Sequence, residues 1–200
     1  MHARQAAAGD ERSIAWIVDR FSPLLLAQAR YRLGPAARQQ VPAEDLVHET
    51  WAVALPRLGT LEPREGRLAP VLMKYLSNIL LNRVNQAIRG LIRDRQREPN
   101  ATLDDLAERR ERGVITNAMR REIRETIHDE LLRLSERERE ILVLRLLEQR
   151  TGTEVADALG ISRENVYTRY HRALQVLRSR LPDSWLDELD PDPDDPPDER

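Results

Sequence analysis

Two capping boxes, Ser135 with Glu138 and Thr151 with Glu154, constrain this chain more than any other feature. In each, the hydroxyl can accept from the backbone N–H three residues on, and the glutamate can accept from the N–H of the capping residue. Each pair therefore starts a helix. The apolar run Ile141–Leu147 fills the first of these helices. Gly160 is placed to end the second in the left-handed conformation that glycine adopts cheaply. Ser162 caps a third helix that runs to Leu181, before Pro182. Helix starts this close together permit only short elements. Residues 151–178 thus become a short helix, a glycine turn and a longer helix, the helix-turn-helix arrangement.

Val155, Ala156 and Leu159 face inward from the first of these two helices, and Ile161 fills the turn. Val166, Tyr170, Ala173, Leu174 and Leu177 form the buried stripe of the second. Its outward face begins with Arg163, Glu164, Tyr167, Thr168, Arg169 and Arg172, and Thr151 stands at the start of the helix before it. A recognition helix reads bases with its N-terminal residues. Arginine can bond a guanine edge bidentately and glutamate can accept from cytosine. On pattern alone, a bundle helix with a solvated Arg/Glu face has the same spacing.

The rest of the chain is helical by period. Ile14, Ile17, Val18, Phe21 and Leu25 share one face from about Ser13; Pro23 interrupts this run and Gly34-Pro35 ends it. A second helix starts after Pro42, with Leu46, Val47, Thr50, Trp51 and Ala54 on one side, and stops at Pro56. Residues 59–70 read as a loop. A third helix runs from about Val71 to Arg93, with Leu76, Leu80, Val84, Ala87 and Leu91 buried. Residues 95–119 read as a flexible linker, with one short helix near Thr102–Asp105. Ile115, Met119, Ile123, Ile127, Leu131 and Leu134 then form another stripe. Aromatics are only 4% and charged residues 33%, a composition that suits helices and not sandwiches or barrels. The fold class expected is all-α: two small helical domains, 1–94 and 120–182, joined by the linker, the C-terminal one a helix-turn-helix.

The chain has no cysteine, which excludes thiolate metal sites and fits a reducing cytoplasm. No apolar run nears the ~20 residues that cross a bilayer, and the start MHARQAAAGDER lacks the apolar core of a secretory signal. A cytoplasmic protein without membrane contact is expected. The net charge of −2 divides unevenly. Residues 183–200 carry nine acids against Arg200, a sum of −8, which leaves residues 1–182 at +6. That Pro- and Asp-rich tail is expected to be disordered, with Trp185, Leu186 and Leu189 on one amphipathic turn.

Read whole, LSEREREILVLRLLEQRTGTEVADALGISRENVYTRYHRALQVLRSRL from Leu134 resembles the C-terminal, minus-thirty-five-reading domain of bacterial sigma factors. The likeness is to the extracytoplasmic-function (ECF) type of the sigma-70 family. AEDLVHETW at 43–51 resembles that group's core-binding helix, and LSNILLNRVNQAIRG at 76–90 its minus-ten-reading helix. The three segments stand in the family's order and cover roughly residues 13–94 and 120–181.

The resemblance implies a non-catalytic subunit that binds core RNA polymerase and directs promoter recognition and transcription initiation. It places Asp45, His48 and Glu49 against the polymerase. It places Tyr75, Asn78, Asn82, Asn85, Gln86 and Arg89 at the melted element, and the outward residues of 151–172 at the upstream one. The partners implied are core polymerase and promoter DNA, with an anti-sigma factor common in the family. The chain departs from the pattern at Asn85, where an aliphatic residue is usual, and at Gln86, often Asp. Gln149-Arg150 replaces a Gly-aliphatic pair, so the turn before the helix-turn-helix is expected to be built differently. The acidic tail has two readings: it covers the basic DNA-reading face when polymerase is absent, or it only solubilises.

One rival is a stand-alone regulator, since LSERERE also resembles the DNA-binding domain of LuxR-type regulators. Such a protein needs no acidic, His-bearing strip at 43–51. The other rival is an enzyme. The four histidines (His2, His48, His128, His171), with Asp104-Asp105, show no ligand spacing such as H-E-x-x-H, and no phosphate-cradling loop or nucleophile elbow occurs. No enzyme activity, metal or cofactor is expected.

Overall fold

The computed structural model describes residues 5–6, 8–64, 66–97, 130–131 and 133–179. Among them the order is α1 (Glu11–Arg38), α2 (Ala43–Ala54), a 3-10 helix (Leu55–Thr60), α3 (Ala69–Arg97), α4 (Glu136–Leu142), a π-helical turn (Val143–Leu147), α5 (Gly152–Leu159) and α6 (Arg163–Arg178). The architecture is all-α.

α1 starts two residues before Ser13 because Asp10 caps it, its carboxylate accepting from the Ser13 N–H at 2.8 Å. The helix runs through Pro23, where an interruption was expected. A proline inside a helix costs roughly 3 kcal/mol. Here every residue from Pro23 to Ala29 is buried, and each Leu so buried contributes about 1.5–3 kcal/mol. A helix enclosed on all sides is a core helix, and α1 packs against α2, α3 and the π turn. Gly34 breaks its regularity as expected, at φ +69°, and a last turn continues to Arg38.

Ile17, Phe21, Leu25, Trp51, Leu76 and Leu80 lie in the N-terminal core. Two of its polar side chains are satisfied within the half: Trp51 Nε1 donates to Ser22 Oγ at 2.9 Å, and Thr50 Oγ1 donates to the Leu46 carbonyl at 2.7 Å. Two boundaries differ from expectation. The 3-10 helix takes up the start of the expected loop, and α3 extends four residues past Arg93.

In the C-terminal half, α4 and α5 both pack on α6. Both capping boxes form as expected: Thr151 Oγ1 accepts from the Glu154 N–H at 3.1 Å while Glu154 accepts from the Thr151 N–H at 2.8 Å. Gly160 ends α5 at φ +63°. Val155, Ala156, Val166, Tyr170, Ala173, Leu174 and Leu177 are all buried. Ile115, Met119, Ile123, Ile127, the short helix at Thr102–Asp105 and the whole acidic tail lie outside the described residues; Leu131 and Leu134, which are described, are buried.

The turn before the helix-turn-helix is indeed unusual. The apolar run ends in a π turn, with the Glu148 N–H donating to the Val143 carbonyl at 2.9 Å. Gln149 then takes φ +52°, a left-handed conformation that glycine adopts more cheaply. Its side chain donates to the Leu146 carbonyl at 2.6 Å. Arg145 donates to the Arg150 carbonyl at 2.7 Å and lies over the Tyr170 ring, which closes the turn onto α6.

Candidate nucleic-acid interface

α6 begins where Ser162 Oγ accepts from the Asn165 N–H at 3.3 Å. On its outer face Glu164, Tyr167, Thr168 and Arg172 are exposed, and Arg163 and Arg169 are half-buried. Tyr167 is 41% exposed, unusual for so large a ring in this chain, and is backed by His171 with ring centroids 4.1 Å apart. An aromatic held outward beside arginines is suited to base contacts.

The electrostatics of this face are set by its caps. The Ser135 hydroxyl holds the Glu138 carboxyl below its ordinary value, with Arg172 and Arg169 adding to the effect, so α4 brings an acid to the flank of the arginines. The Glu164 carboxyl is lowered by its own backbone N–H and by Ser162. Thr151 is exposed, but its hydroxyl is engaged in the α5 cap.

On α3, the spacing of Asn78, Asn82, Asn85 and Arg89 produces a polar stripe opposite Leu76, Leu80 and Val84, as expected. All four are exposed, and so is Gln86. Tyr75 is half-buried against the core instead. On α2, His48 and Glu49 are exposed and Asp45 is half-buried. Arg83 joins the two helices: it lies 3.6 Å from the Glu49 carboxylate and 3.4 Å from the Gln86 amide oxygen. The exposed strip of α2 and the polar stripe of α3 are therefore neighbours. Arg83 was not singled out from the sequence, although its place three residues before Gln86 was visible there.

Sequence reasoning also missed a set of buried polar groups. Gln28, Arg32 and Ser77 from the N-terminal half meet Leu147 and Glu148 from the C-terminal half. The Gln149-Arg150 departure was the one signal that this corner is special. No helix among the described residues is long and apolar enough to cross a membrane.

A family model described as sigma-70, region 4 matches residues 131–179, the stretch that carries α4 to α6. The chain is 28% identical over 177 residues to the ECF RNA polymerase sigma factor SigD of Mycobacterium tuberculosis, covering 88% of this chain and 81% of that protein. It is 23% identical over 182 residues to the ECF RNA polymerase sigma factor SigW of Bacillus subtilis, covering 90% and 95%. A solved structure of CnrH in complex with the cytosolic domain of CnrY aligns over 89% of this chain and 93% of that one, at 24% identity and a TM-score of 0.37. The region-4 match falls on the helix-turn-helix and the relatives extend across both halves. Residues 131–179 therefore match sigma-70 region 4, and the chain as a whole is similar to sigma factors of the ECF type.

Proposed function

We propose that this chain is a sigma factor of the ECF type, which binds core RNA polymerase through the α2 strip of Asp45, His48 and Glu49 and reads a promoter with two separate faces. The observation that carries this reading is the pair of exposed polar faces on α3 and α6, one in each half of the chain. The amides of Asn78, Asn82, Asn85 and Gln86, with Arg89, meet the unpaired bases of the melted element. Amides both donate and accept, which suits base edges that are no longer paired. Arg163, Glu164, Tyr167, Thr168, Arg169 and Arg172 meet the upstream element in the major groove, and Thr151 serves by capping α5. Residues 1–94 and 120–182 act as two domains. Tethering raises the effective concentration of the second contact once the first is made. The work is positioning; no bond is made or broken by this chain.

A pull-down of purified core polymerase with the intact protein, beside an Asp45→Ala/His48→Ala/Glu49→Ala variant, tests the proposal. Stoichiometric capture by the intact protein and weaker capture by the variant support it. DNA binding without any capture of polymerase would make the protein a stand-alone regulator.

A further inference from the structure

Four side chains are packed in a row from the π turn to the outer face of α6. Arg145 is buried, donates to the Arg150 carbonyl at 2.7 Å and lays its guanidinium over the Tyr170 ring, 5.5 Å from its centroid. Tyr170, itself in the core, meets the His171 ring edge to face, with centroids 5.4 Å apart and planes at 70°. His171 is half-buried, and its ring lies 4.1 Å from that of Tyr167, tilted by 59°. The last ring in the row stands out from the surface. Tyr167 and His171 are four residues apart, the spacing at which side chains of a helix meet, and two rings this close attract each other beyond the area they bury. An unsupported tyrosine on a helix surface loses rotamer freedom when a ligand orders it, which weakens binding. Packed on His171, and through it on Tyr170 and Arg145, Tyr167 has given up part of that freedom before any DNA arrives.

We infer that Tyr167 selects a thymine in the upstream element by packing its ring on the thymine C5-methyl group in the major groove, and that His171 is the residue that positions it. This rests on the proposed reading of α6. The reason is the chemistry available on that face. Among the described residues, Arg163, Glu164, Asn165, Thr168, Arg169 and Arg172 offer charged or hydrogen-bonding groups, and Tyr167 offers the one large apolar surface. The base edges in the major groove carry donors and acceptors, and the thymine methyl is the one apolar group among them. A ring laid on that methyl takes apolar surface from water. Laid on a donor or acceptor instead, it strips water from a polar group and returns no hydrogen bond. Tyr167 is the fifth residue of α6, within the part of a recognition helix that contacts base edges. His171 has a tyrosine ring on each of two sides and is half-buried, so it supports the reading ring and does not read. The phenol hydroxyl plays no part in the contact.

The test compares thymine with uracil, which differs from it by that methyl alone. The probe is the promoter duplex that the full chain, with core polymerase, selects from a randomised pool. Each thymine of its upstream element is replaced in turn by deoxyuridine, and binding by the same complex is measured. At one position the replacement should weaken binding by about fourfold, the worth of one buried methyl. With Tyr167→Ala the same replacement should cost nothing. Tyr167→Phe, which lacks the hydroxyl, should keep the fourfold cost, and so should His171→Phe, which keeps a supporting ring. His171→Ala should bring the thymine-to-uracil ratio toward one at unchanged helix content, while the salt dependence of binding, set by the phosphates neutralised, stays the same. An upstream element without a thymine, or a uracil cost that survives Tyr167→Ala, overturns the assignment of Tyr167. A ratio that persists in His171→Ala overturns the role of His171. Equal losses in Tyr167→Phe and Tyr167→Ala, with no uracil effect, would make the phenol a phosphate contact and overturn the thymine reading. A chain that selects no upstream element at all would defeat the promoter-reading proposal itself, and this inference with it.

Discussion

The two helices proposed to read the promoter, α3 and α6, are built from opposite chemistries and held in place by opposite means. The α3 face is mostly amide, Asn78, Asn82, Asn85 and Gln86, on a 29-residue helix anchored by Leu76, Leu80 and Val84. The α6 face is mostly guanidinium, Arg163, Arg169 and Arg172 around Tyr167, on a 16-residue helix positioned by caps and short neighbours. Amides carry no net charge and discriminate by geometry, which suits a strand already unpaired and held nearby. Arginines are drawn to phosphates first and to guanine edges second, which suits finding a duplex. In the proposed function the α6 face finds DNA, while the α3 face identifies what has opened.

The largest expected effect separates the two anchoring schemes. Leu80→Ala empties a fully buried site behind the amide stripe and should cost about 2–5 kcal/mol of stability in urea unfolding. A loss below about 1 kcal/mol would mean that the α3 face does not depend on its core. Next, Arg169→Ala/Arg172→Ala should weaken upstream-duplex binding by about 1–3 kcal/mol for each guanine edge left unbonded, and lower the salt slope by about 0.9 for each phosphate no longer neutralised. Asn82→Ala/Asn85→Ala should leave that slope unchanged and impair only binding to the melted strand. Equal slopes in the two variants would erase the distinction between the faces. A smaller effect tests the caps: Thr151→Ala should cost about 1 kcal/mol in thermal unfolding, with no change at the α3 face.

The smallest effect is a pH dependence. Glu138 and Glu154 lie below their ordinary 4.5 because Ser135 and Thr151 bond their ionised forms. A depressed carboxyl stabilises the fold above its unfolded value and ceases to do so as the pH falls through its folded one. The gap in Tm between the protein and its Glu138→Gln/Glu154→Gln variant should therefore be present near neutrality and narrow below about pH 4.5.

The C-terminal half was legible because its rules are local. A hydroxyl three residues before a glutamate, a glycine at a helix end and apolar residues at three and four fix α4 to α6 almost without reference to the rest. α1 was less legible. Pro23 argued locally for a break, and only the burial of its whole surroundings explains why the helix continues. The π turn was hidden because a continuous apolar run, Val143–Leu147, fits any helical period. The exposed stripes on α3 and α6 and the Thr151 cap followed from spacing, whereas the half-burial of Tyr75 depended on neighbours. The contact between the halves was beyond reach: Gln28, Arg32 and Ser77 show no pattern in sequence, and Glu148, the partner of Arg32, is 116 residues from it.

The decisive measurement is transcription from a library of randomised promoters by core polymerase supplied with this chain. Two independent reading faces predict start sites that share two spaced elements, with Arg169→Ala/Arg172→Ala relaxing only the upstream element and Asn78→Ala/Asn82→Ala/Asn85→Ala only the melted one. Initiation that does not depend on the chain, or variants that alter the same element, would contradict this.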